Sequence, residues 1–288
     1  MAHTDKFLLA GVMGWPVMHS RSPTIHNHWF EKHGLAGRYL PLAIQPAGLE
    51  AALRALSALG FAGCNLTIPH KQAAMQIVDE VQESARLIGA ISCVTVREDG
   101  RLVGSNNDAF GFMRNLQQAQ PQWRAEAGPA VVIGAGGGAR AVCFGLLQAG
   151  VRELRVVNRG AMRAQTLVQE LVQKLGSTSG ASIAAHAWDE RHAALDGAAL
   201  VVNTTSQGMV GQGVLDLSLD RLPRNAIAAD IVYIPLETPF LAAARARGNA
   251  TVSGLGMLLH QGPLAWKAWF GIEPEVTDEL FRLVERSL

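Results

Sequence analysis

Residues 131–141 read Val-Val-Ile-Gly-Ala-Gly-Gly-Gly-Ala-Arg-Ala, an apolar run that stops at glycines and continues as a helix-like pattern. Gly134, Gly136 and Ala139 fit the spacing G-x-G-x-x-G/A of a dinucleotide-binding turn. Gly134 would allow the tight turn, Gly136 would let the backbone approach a pyrophosphate, and Ala139 would let the helix pack closely on the strand. The stretch therefore predicts a dinucleotide-binding loop, with the candidate contacts Gly134, Ala135, Gly136, Gly137, Gly138 and Ala139.

Length and charge restrict the class of partner. The chain has 288 residues, which favours two domains of ordinary size. Lys and Arg together number 25 and Asp and Glu 24, so the net charge is +1. This balance leaves no electrostatic footprint for nucleic acid or an anionic membrane, and we expect a small-molecule partner.

The cysteines and the N-terminus indicate a cytoplasmic protein. Cys64, Cys93 and Cys143 have no C-x-x-C spacing, which argues against a disulfide framework or a structural zinc site. The histidines between residues 19 and 33 lack carboxylate or thiolate companions at ligand spacing, so we expect no metal. The stretch Met1–Lys6 precedes only a short, glycine-broken apolar run, and we expect neither a signal peptide nor a spanning helix.

In the first part of the chain, predicted strands alternate with helices, which favours a parallel sheet. Asp99-Gly100 lies between two apolar runs and predicts a hairpin. Pro23 suits the first residue of a helix with Ser22 as its cap. The expected strands are 7–12, 39–44, 61–67, 91–96 and 102–103. Three helices are expected: one that begins after Ser22, one over 49–59 and one after Lys71.

The second part of the chain predicts a doubly wound sheet. A helix is expected over 108–119, strands at 131–133, 154–157, 183–185, 200–202, 227–231 and 251–252, and two final helices over 257–270 and 276–288. The expected fold class is therefore α/β, with an α/β substrate domain and a doubly wound Rossmann domain. We expect the substrate domain to comprise residues 1–108, completed by helices in 254–288, and the Rossmann domain residues 109–253.

Asn158-Arg159 bears on the choice of cofactor. This pair follows the second Rossmann strand, near where an acidic residue would hold the 2′-hydroxyl of NAD. Arg159, helped by Arg163, would instead favour the 2′-phosphate of NADP. Taken alone the two arginines could be solvated surface residues, but the upstream glycine fingerprint favours NADP, with NAD as the weaker alternative.

Small polar residues are dense at two strand ends of the first part, where ligands of open α/β sheets bind. Ser20 and Ser22 follow the first strand. Asn65 and Thr67 share one side of an extended segment, and Lys71 follows just past Pro69. Such a lysine could bind an anion or move a proton, although a solvated cation is the commoner role.

Several motifs, in order along the chain, resemble the shikimate dehydrogenase family. Residues 14–27 match G-x-P-x-x-H-S-x-S-P-x-x-H-N, residues 65–71 match N-x-T-x-P-x-K, and residues 104–111 resemble G-x-N-T-D-x-x-G. The later motifs are Gly134–Ala141, Asn158-Arg159, Asn203–Met209, Asp230–Tyr233 and Gly256–Gln261. The resemblance covers nearly the whole chain and implies an NADP-dependent dehydrogenase of aromatic amino acid biosynthesis.

By that resemblance, Lys71 and Asp108 are the catalytic pair at the domain cleft, exchanging the proton of the alcohol while hydride leaves for the nicotinamide. The substrate carboxylate would be held by Ser20, Ser22 and Tyr233. Other expected substrate residues are Asn65, Thr67, Ser92, Asn107 and Gln261. The remaining expected cofactor residues are Thr204, Thr205, Ser206, Met209, Gly254 and Met257.

Two positions depart from the family pattern. The family usually has Gly-Ala-x-Asn-Thr where this chain has Gly89-Ala90-Ile91-Ser92-Cys93, and Asn107 replaces the threonine before the catalytic aspartate. A serine reaches less far than an amide, so a ring hydroxyl could lose a partner or gain a water. Three alternatives stay open: a related cyclic hydroxy-carboxylate as substrate, a quinate-preferring NAD enzyme, and a nucleotide-binding sensor or interaction protein with little turnover. A homodimer is also possible.

Overall fold

The structure is a computed structural model that describes residues 7–288, without the side chains of residues 176–179. The stretch Met1–Lys6, for which we expect no signal peptide, lies outside these described residues. The strands are β1 Leu8–Gly14, β2 Gly37–Ala43, β3 Phe61–Leu66, β4 Glu80–Val81, β5 Cys93–Val96, β6 Leu102–Ser105, β7 Ala130–Ile133, β8 Glu153–Val157, β9 Ser182–His186, β10 Leu200–Asn203, β11 Ile227–Asp230 and β12 Ala250–Val252. The α-helices are α1 Ser22–Lys32, α2 Leu49–Ala55, α3 Glu83–Ile88, α4 Asp108–Ala119, α5 Gly137–Gln148, α6 Ala161–Ser179, α7 Pro239–Ala246, α8 Leu255–His260, α9 Gly262–Phe270 and α10 Asp278–Glu285.

The chain divides into two compact units, and the division falls close to the expected domain boundary. The first unit runs to Asn107 and resumes at Gln261–Ser287, and the second comprises Asp108–His260 with Leu288. The expected ranges differ from this division at Asp108, at residues 254–260 and at Leu288. Helix α8 belongs to the second unit because it packs against α4 there.

The first unit contains a mixed sheet in the order β2-β1-β3-β5-β6-β4. Strand β1 pairs in parallel with β2 and β3, but β5 pairs antiparallel with both β3 and β6. The expectation of a parallel sheet is therefore wrong for part of this unit. Just before β5, Ile91 donates to the carbonyl of Lys71 at 2.8 Å, so β5 begins near the carboxyl end of β3 and runs back along it.

The predicted hairpin at Asp99-Gly100 is confirmed. Strands β5 and β6 are antiparallel neighbours, and Gly100 has φ +82°, which favours glycine. The core beneath this part of the sheet is apolar, with Met13, Leu53 and Cys64 among its buried side chains.

Three local predictions in the first unit need correction. Helix α2 ends at Ala55, ahead of Gly60 with φ +75°, so the expected helix to Leu59 is too long. The helix expected after Lys71 is only a 3₁₀ turn, Ala73–Gln76. Ser22 is the first residue of α1 and not its cap.

The second unit contains a parallel sheet in the order β12-β11-β10-β7-β8-β9. Counted from β7, this is the order 3-2-1-4-5-6 read from the β9 edge, which is that of the dinucleotide-binding doubly wound fold. The predicted Rossmann architecture is confirmed, as are the predicted strands to within two residues. The order reverses between β7 and β10, where ligands of such sheets bind.

The C-terminal segment forms three helices, α8, α9 and α10, where two were expected. Pro263 lies in the first turn of α9 and has no N–H to continue the preceding helix, so α8 ends at His260. Among the described residues, no helix is long and apolar enough to cross a membrane.

Candidate active site

The glycine loop after β7 has the geometry that its sequence predicts. Gly134 has φ +119° and donates its N–H to the carbonyl of Val157 at 2.8 Å. A Cβ placed on Gly136 would meet no atom within 4 Å, so the backbone there is open to a ligand. Ala139 is completely buried at the start of α5, whose first N–H groups have no partner within the helix. These residues fit the pyrophosphate of a dinucleotide.

The loops after β7, β10 and β11 pack closely on one another within the second unit. The Thr204 hydroxyl donates to the carbonyl of Ile133 at 2.7 Å. A Cβ on Gly134 would lie 2.6 Å from Thr204 Oγ1, and one on Gly138 would lie 2.7 Å from Ile231 Cδ1. The packing of the loops therefore favours glycine at Gly134, where φ is also +119°, while at Gly138 a side chain would displace the end of Ile231.

The residues expected to select the cofactor follow β8. Asn158 Nδ2 donates to the carbonyl of Gly160 at 3.0 Å, which fixes the turn into α6. Arg159 and Arg163 are both exposed and frame this turn. The sequence from Asn158 to Arg163 contains no acidic residue, so the strand end offers two guanidinium groups to an anion and no acceptor for a 2′-hydroxyl.

The loop after β10 carries Thr204, Thr205, Ser206 and Met209. Its backbone turns between Ser206 and Met209, whose N–H donates to the Ser206 carbonyl at 3.2 Å. The side chain of Asn203, at the end of β10, accepts from the N–H and the hydroxyl of Thr205 at 3.1 and 2.8 Å. The sequence motif included Asn203, but its contacts with Thr205 and Asp230 were not predictable from spacing.

Helix α8 places Met257 on the second unit. Gly254, just before this helix, has no room for a side chain, because a Cβ would lie 2.3 Å from the carbonyl oxygen of Ile231. Gly256 packs against Asn115 of α4, which donates to the carbonyl of Ser253 at 2.8 Å. Met257 is buried, and Tyr233 on the loop after β11 is half-buried.

Ser20 and Ser22 lie together at the start of α1 in the first unit. The N–H of Ser22 donates to Ser20 Oγ at 3.3 Å, so Ser20 supplies the acceptor that we expected from a capping Ser22. The two hydroxyl groups stand at the positive end of an eleven-residue helix. Such a site favours a carboxylate.

The backbone around Lys71 is fixed by hydrogen bonds of His70 and of the Lys71 carbonyl. The His70 ring Nε2 lies 2.8 Å from the carbonyl of Ile44, and the His70 side chain is buried. The carbonyl of Lys71 accepts from Ile91 at 2.8 Å. The loop that carries Thr67 and Lys71 is therefore fixed to two other segments of the first unit.

Four expected substrate residues are linked by hydrogen bonds in the first unit. Asn65 Nδ2 donates to the Ser92 carbonyl at 3.2 Å, and the Asn107 N–H donates to Ser92 Oγ at 2.8 Å. Asn107 Nδ2 lies 3.5 Å from the Gln261 carbonyl. Ser92 is 2% exposed, so it acts from inside this cluster.

Tyr39 is a member of this cluster that no sequence pattern singled out. Its hydroxyl donates to Asn65 Oδ1 at 2.7 Å and thereby fixes the orientation of that amide. The ring stacks on His26 with centroids 4.0 Å apart, and Trp266 Nε1 donates to His26 Nδ1 at 2.7 Å. Burial lowers the pKa of His26 to about 3, so the ring is neutral.

The two expected catalytic residues lie on different units. Lys71 belongs to the first unit, and Asp108 is the buried first residue of α4 in the second. The first unit's N-terminal segment ends at Asn107, which directly precedes Asp108 in the chain.

Two family models match the chain. The model described as the shikimate dehydrogenase substrate binding domain matches residues 12–94, and that described as shikimate / quinate 5-dehydrogenase matches residues 117–210. The shikimate dehydrogenase (NADP(+)) of Rhodospirillum rubrum is 55% identical over 277 residues, which are 96% of each chain.

Solved structures resemble the chain over nearly its full length. Shikimate 5-dehydrogenase from Thermus thermophilus, in complex with NADP(H) and shikimate, is 35% identical with a TM-score of 0.84, covering 98% of this chain and 100% of that one. Quinate dehydrogenase from Corynebacterium glutamicum, in complex with NAD, is 31% identical with a TM-score of 0.87, covering 98% and 99%.

Proposed function

The chain belongs to the shikimate dehydrogenase family, and from that premise we propose that it interconverts 3-dehydroshikimate and shikimate with NADP as cofactor. The observation that carries the choice of cofactor is the pair Arg159 and Arg163 after β8, on a strand end without an acidic residue. When bound, NADP supplies the hydride acceptor for the alcohol and NADPH the hydride donor for the ketone.

Lys71 and Asp108 are the proposed acid–base pair. Oxidation of an alcohol requires a group that takes the hydroxyl proton while hydride leaves the carbon, and the amine of Lys71 would take it with Asp108 holding the geometry and charge. The fixed loop around Lys71 supports this role, since His70 and the Lys71 carbonyl both bind other segments. In the reverse direction Lys71 would return the proton to the ketone oxygen.

The substrate carboxylate is proposed to bind Ser20 and Ser22, with Tyr233 as a third partner. The hydroxyl pair at the start of α1 supports this assignment. The ring hydroxyls are proposed to meet Asn65, Thr67, Asn107 and Gln261. Ser92 is proposed to support the backbone of Asn107, because its hydroxyl oxygen already accepts from the Asn107 N–H inside the cluster.

A substrate panel tests the proposal. The purified protein is assayed against shikimate and quinate, with NADPH formation followed when NADP is the cofactor and NADH formation when it is NAD. We expect the highest kcat/KM for shikimate with NADP. Higher kcat/KM values for quinate with NAD would instead make the protein a quinate-preferring NAD enzyme. NADPH binding without turnover of any cyclic hydroxy acid would make it a nucleotide-binding sensor.

The proposal also includes a cytoplasmic location and a homodimer. Three cysteines without disulfide spacing support a reducing compartment. Analytical ultracentrifugation at assay concentrations measures the mass of the particle, and a value near 30.7 kDa would exclude the dimer.

A further inference from the structure

A buried carboxylate, Asp230, lies at the carboxyl edge of the Rossmann sheet without an assigned role. It is the last residue of β11 and is directly paired with Asn203, the last residue of β10. Asp230 is 2% exposed, and Asn203 is completely buried. A carboxylate in such a place loses its hydration and needs donors to replace it.

Three donors from three segments converge on the Asp230 carboxylate. Asn203 Nδ2 and the N–H of Val232 reach Oδ1 at 3.1 and 2.9 Å, and the Thr238 hydroxyl reaches Oδ2 at 2.7 Å. Desolvation nevertheless raises the pKa of Asp230 to about 6. Keeping this acid buried therefore costs stability, which is typical of residues retained for function.

The Asn203 side chain connects this carboxylate to the next loop. Its Nδ2 donates to both Asp230 Oδ1 and the Gln207 carbonyl, and its Oδ1 accepts from the N–H and hydroxyl of Thr205. The amide nitrogen faces the Asp230 carboxylate and the Gln207 carbonyl, both of which only accept, so Asp230 is the partner outside the loop that supports this orientation of the amide. The opposite orientation would set two oxygens against each other and break both bonds to Thr205.

The orientation of that one amide sets the conformation of the loop. Thr205 Oγ1 accepts from the N–H of Gln207 at 3.1 Å and donates to Asn203 Oδ1, so the hydroxyl of Thr205 connects the Asn203 amide to this turn. Gly208 has φ +92° and packs on Thr238, because a Cβ added to it would lie 3.3 Å from Thr238 Cβ. The proposed cofactor residues Thr204–Ser206 lie on this turn.

We propose that Asp230 is a positioning residue for NADP, which acts through Asn203 to hold the loop Thr204–Met209 in its binding conformation. The inference rests on the proposed function only in taking NADP as the ligand at this edge. Asp230 itself does not touch the cofactor in this scheme. The Val232 N–H and the Thr238 hydroxyl also donate to the Asp230 carboxylate, and these two bonds fix the loop after β11.

Direct titration with NADPH, followed by quenching of tryptophan fluorescence in the absence of substrate, tests the proposal. We expect Asp230→Ala to raise the Kd of NADPH about tenfold or more, since the Asn203 amide loses the partner that anchors it to β11. Asp230→Asn can still accept at Oδ1 and can donate to Thr238 Oγ1, so we expect its Kd to stay within about threefold of the parent.

Two more variants separate positioning from stability. Thr238→Val removes one bond to Asp230 and the side-chain acceptor for the N–H of Leu241 at 3.3 Å, so it lowers Tm while Asn203 keeps its carboxylate partner. Asn203→Ala leaves Asp230 two of its donors and should raise the Kd as Asp230→Ala does. This second variant keeps the test decisive even if Asp230→Ala does not fold.

An unchanged NADPH Kd in Asn203→Ala, or a Kd that follows Tm equally in all variants, would overturn the proposal. Failure of the parent protein to bind NADPH would instead overturn the proposed function together with this inference. The two failures are therefore distinguishable, because the first compares variants and the second concerns the parent.

Discussion

The hydroxyl oxygen of Ser92 accepts a 2.8 Å hydrogen bond from the backbone N–H of Asn107, the residue directly before Asp108. Both residues are buried. At these two positions the family pattern has an asparagine and a threonine, so a side-chain amide and a hydroxyl stand here in exchanged places, and the hydroxyl contacts the Asn107 backbone. The contact gives the Ser92 hydroxyl a partner inside the protein.

Ser92→Ala is expected to lower both stability and activity. The buried N–H of Asn107 would lose its acceptor, which costs about 1–3 kcal/mol of unfolding free energy. Because Asn107 precedes Asp108, we also expect kcat for shikimate to fall about tenfold. Urea unfolding and steady-state assays measure the two effects. Ser105→Ala is the control, since it removes a hydroxyl whose contact with the Cys93 carbonyl is 3.5 Å long and leaves the Ser105 backbone in place. Equal effects of both substitutions would contradict the assignment.

Lys71→Ala is expected to lower kcat far more than it changes the affinity for NADPH. Removal of a general acid–base group costs about 10²-fold or more in rate. The Kd of NADPH, measured by fluorescence titration, should stay close to that of the parent because Lys71 belongs to the first unit. Lys32→Ala, on the exposed end of α1, provides the matched control. An equal loss of cofactor binding would count against the catalytic role.

Arg159→Ala is expected to change cofactor preference. A charge-assisted bond to a 2′-phosphate is worth about 1.5–3 kcal/mol, so the KM for NADP should rise about 10- to 100-fold. The KM for NAD should change little, since NAD lacks that phosphate. Arg282→Ala on α10 of the first unit is the control. A parallel rise in both KM values would show that Arg159 acts on the fold and not on the phosphate.

Gly256→Ala is expected to destabilise the second unit. Its Cβ would lie 1.9 Å from Oδ1 of Asn115, a clash that costs about 1–3 kcal/mol or more. Asn115→Ala removes the obstacle but also the bond to the Ser253 carbonyl. We therefore expect the double variant to be more stable than the sum of the two single effects. Thermal unfolding measures the coupling, and strict additivity would rule out this contact as the cause.

His26 is expected to make the fold sensitive to acid. Burial lowers its pKa to about 3, below the value of 6.5 in the unfolded chain, so the unfolded state binds the proton first as the pH falls. This contribution to stability is complete above pH 6.5 and is lost between about 6.5 and 3. His260, with a pKa lowered to about 4, acts in the same direction, and Asp230, with a pKa raised to about 6, acts in the opposite one.

The difference between the parent and His26→Gln isolates this residue. A glutamine keeps an oxygen that can accept from Trp266 Nε1, which donates to His26 Nδ1 at 2.7 Å. We expect the unfolding free energy of the variant to fall less between pH 7 and 4. Identical pH profiles would mean that folding does not change the pKa of His26, which would contradict this prediction.

Short-range patterns predicted the elements that their own residues dictate. The glycine spacing of residues 134–139 predicted the loop after β7, and the alternation of strands and helices predicted the Rossmann sheet. Asp99-Gly100 predicted its hairpin. The mixed sheet of the first unit was missed because the direction of β5 depends on where the chain lies after β3, which no local period encodes.

The partners of buried polar groups were also beyond local reasoning. Tyr39 lies 26 residues from Asn65 and Asp230 lies 27 residues from Asn203, yet each pair is hydrogen-bonded. Nothing in the sequence around Tyr39 marks it as more than a strand residue.

The sequence by itself determined the fold class, the dinucleotide loop, the two arginines that favour NADP and the motifs that carry Lys71 and Asp108. These properties depend on neighbouring residues, whose backbone freedom, apolar period and charge are set locally. Only the tertiary structure decided that Ser92 serves Asn107, that Tyr39 orients Asn65 and that Asp230 orients Asn203. A buried hydrogen bond requires two groups to meet within about 3 Å, and only the packed chain brings them there.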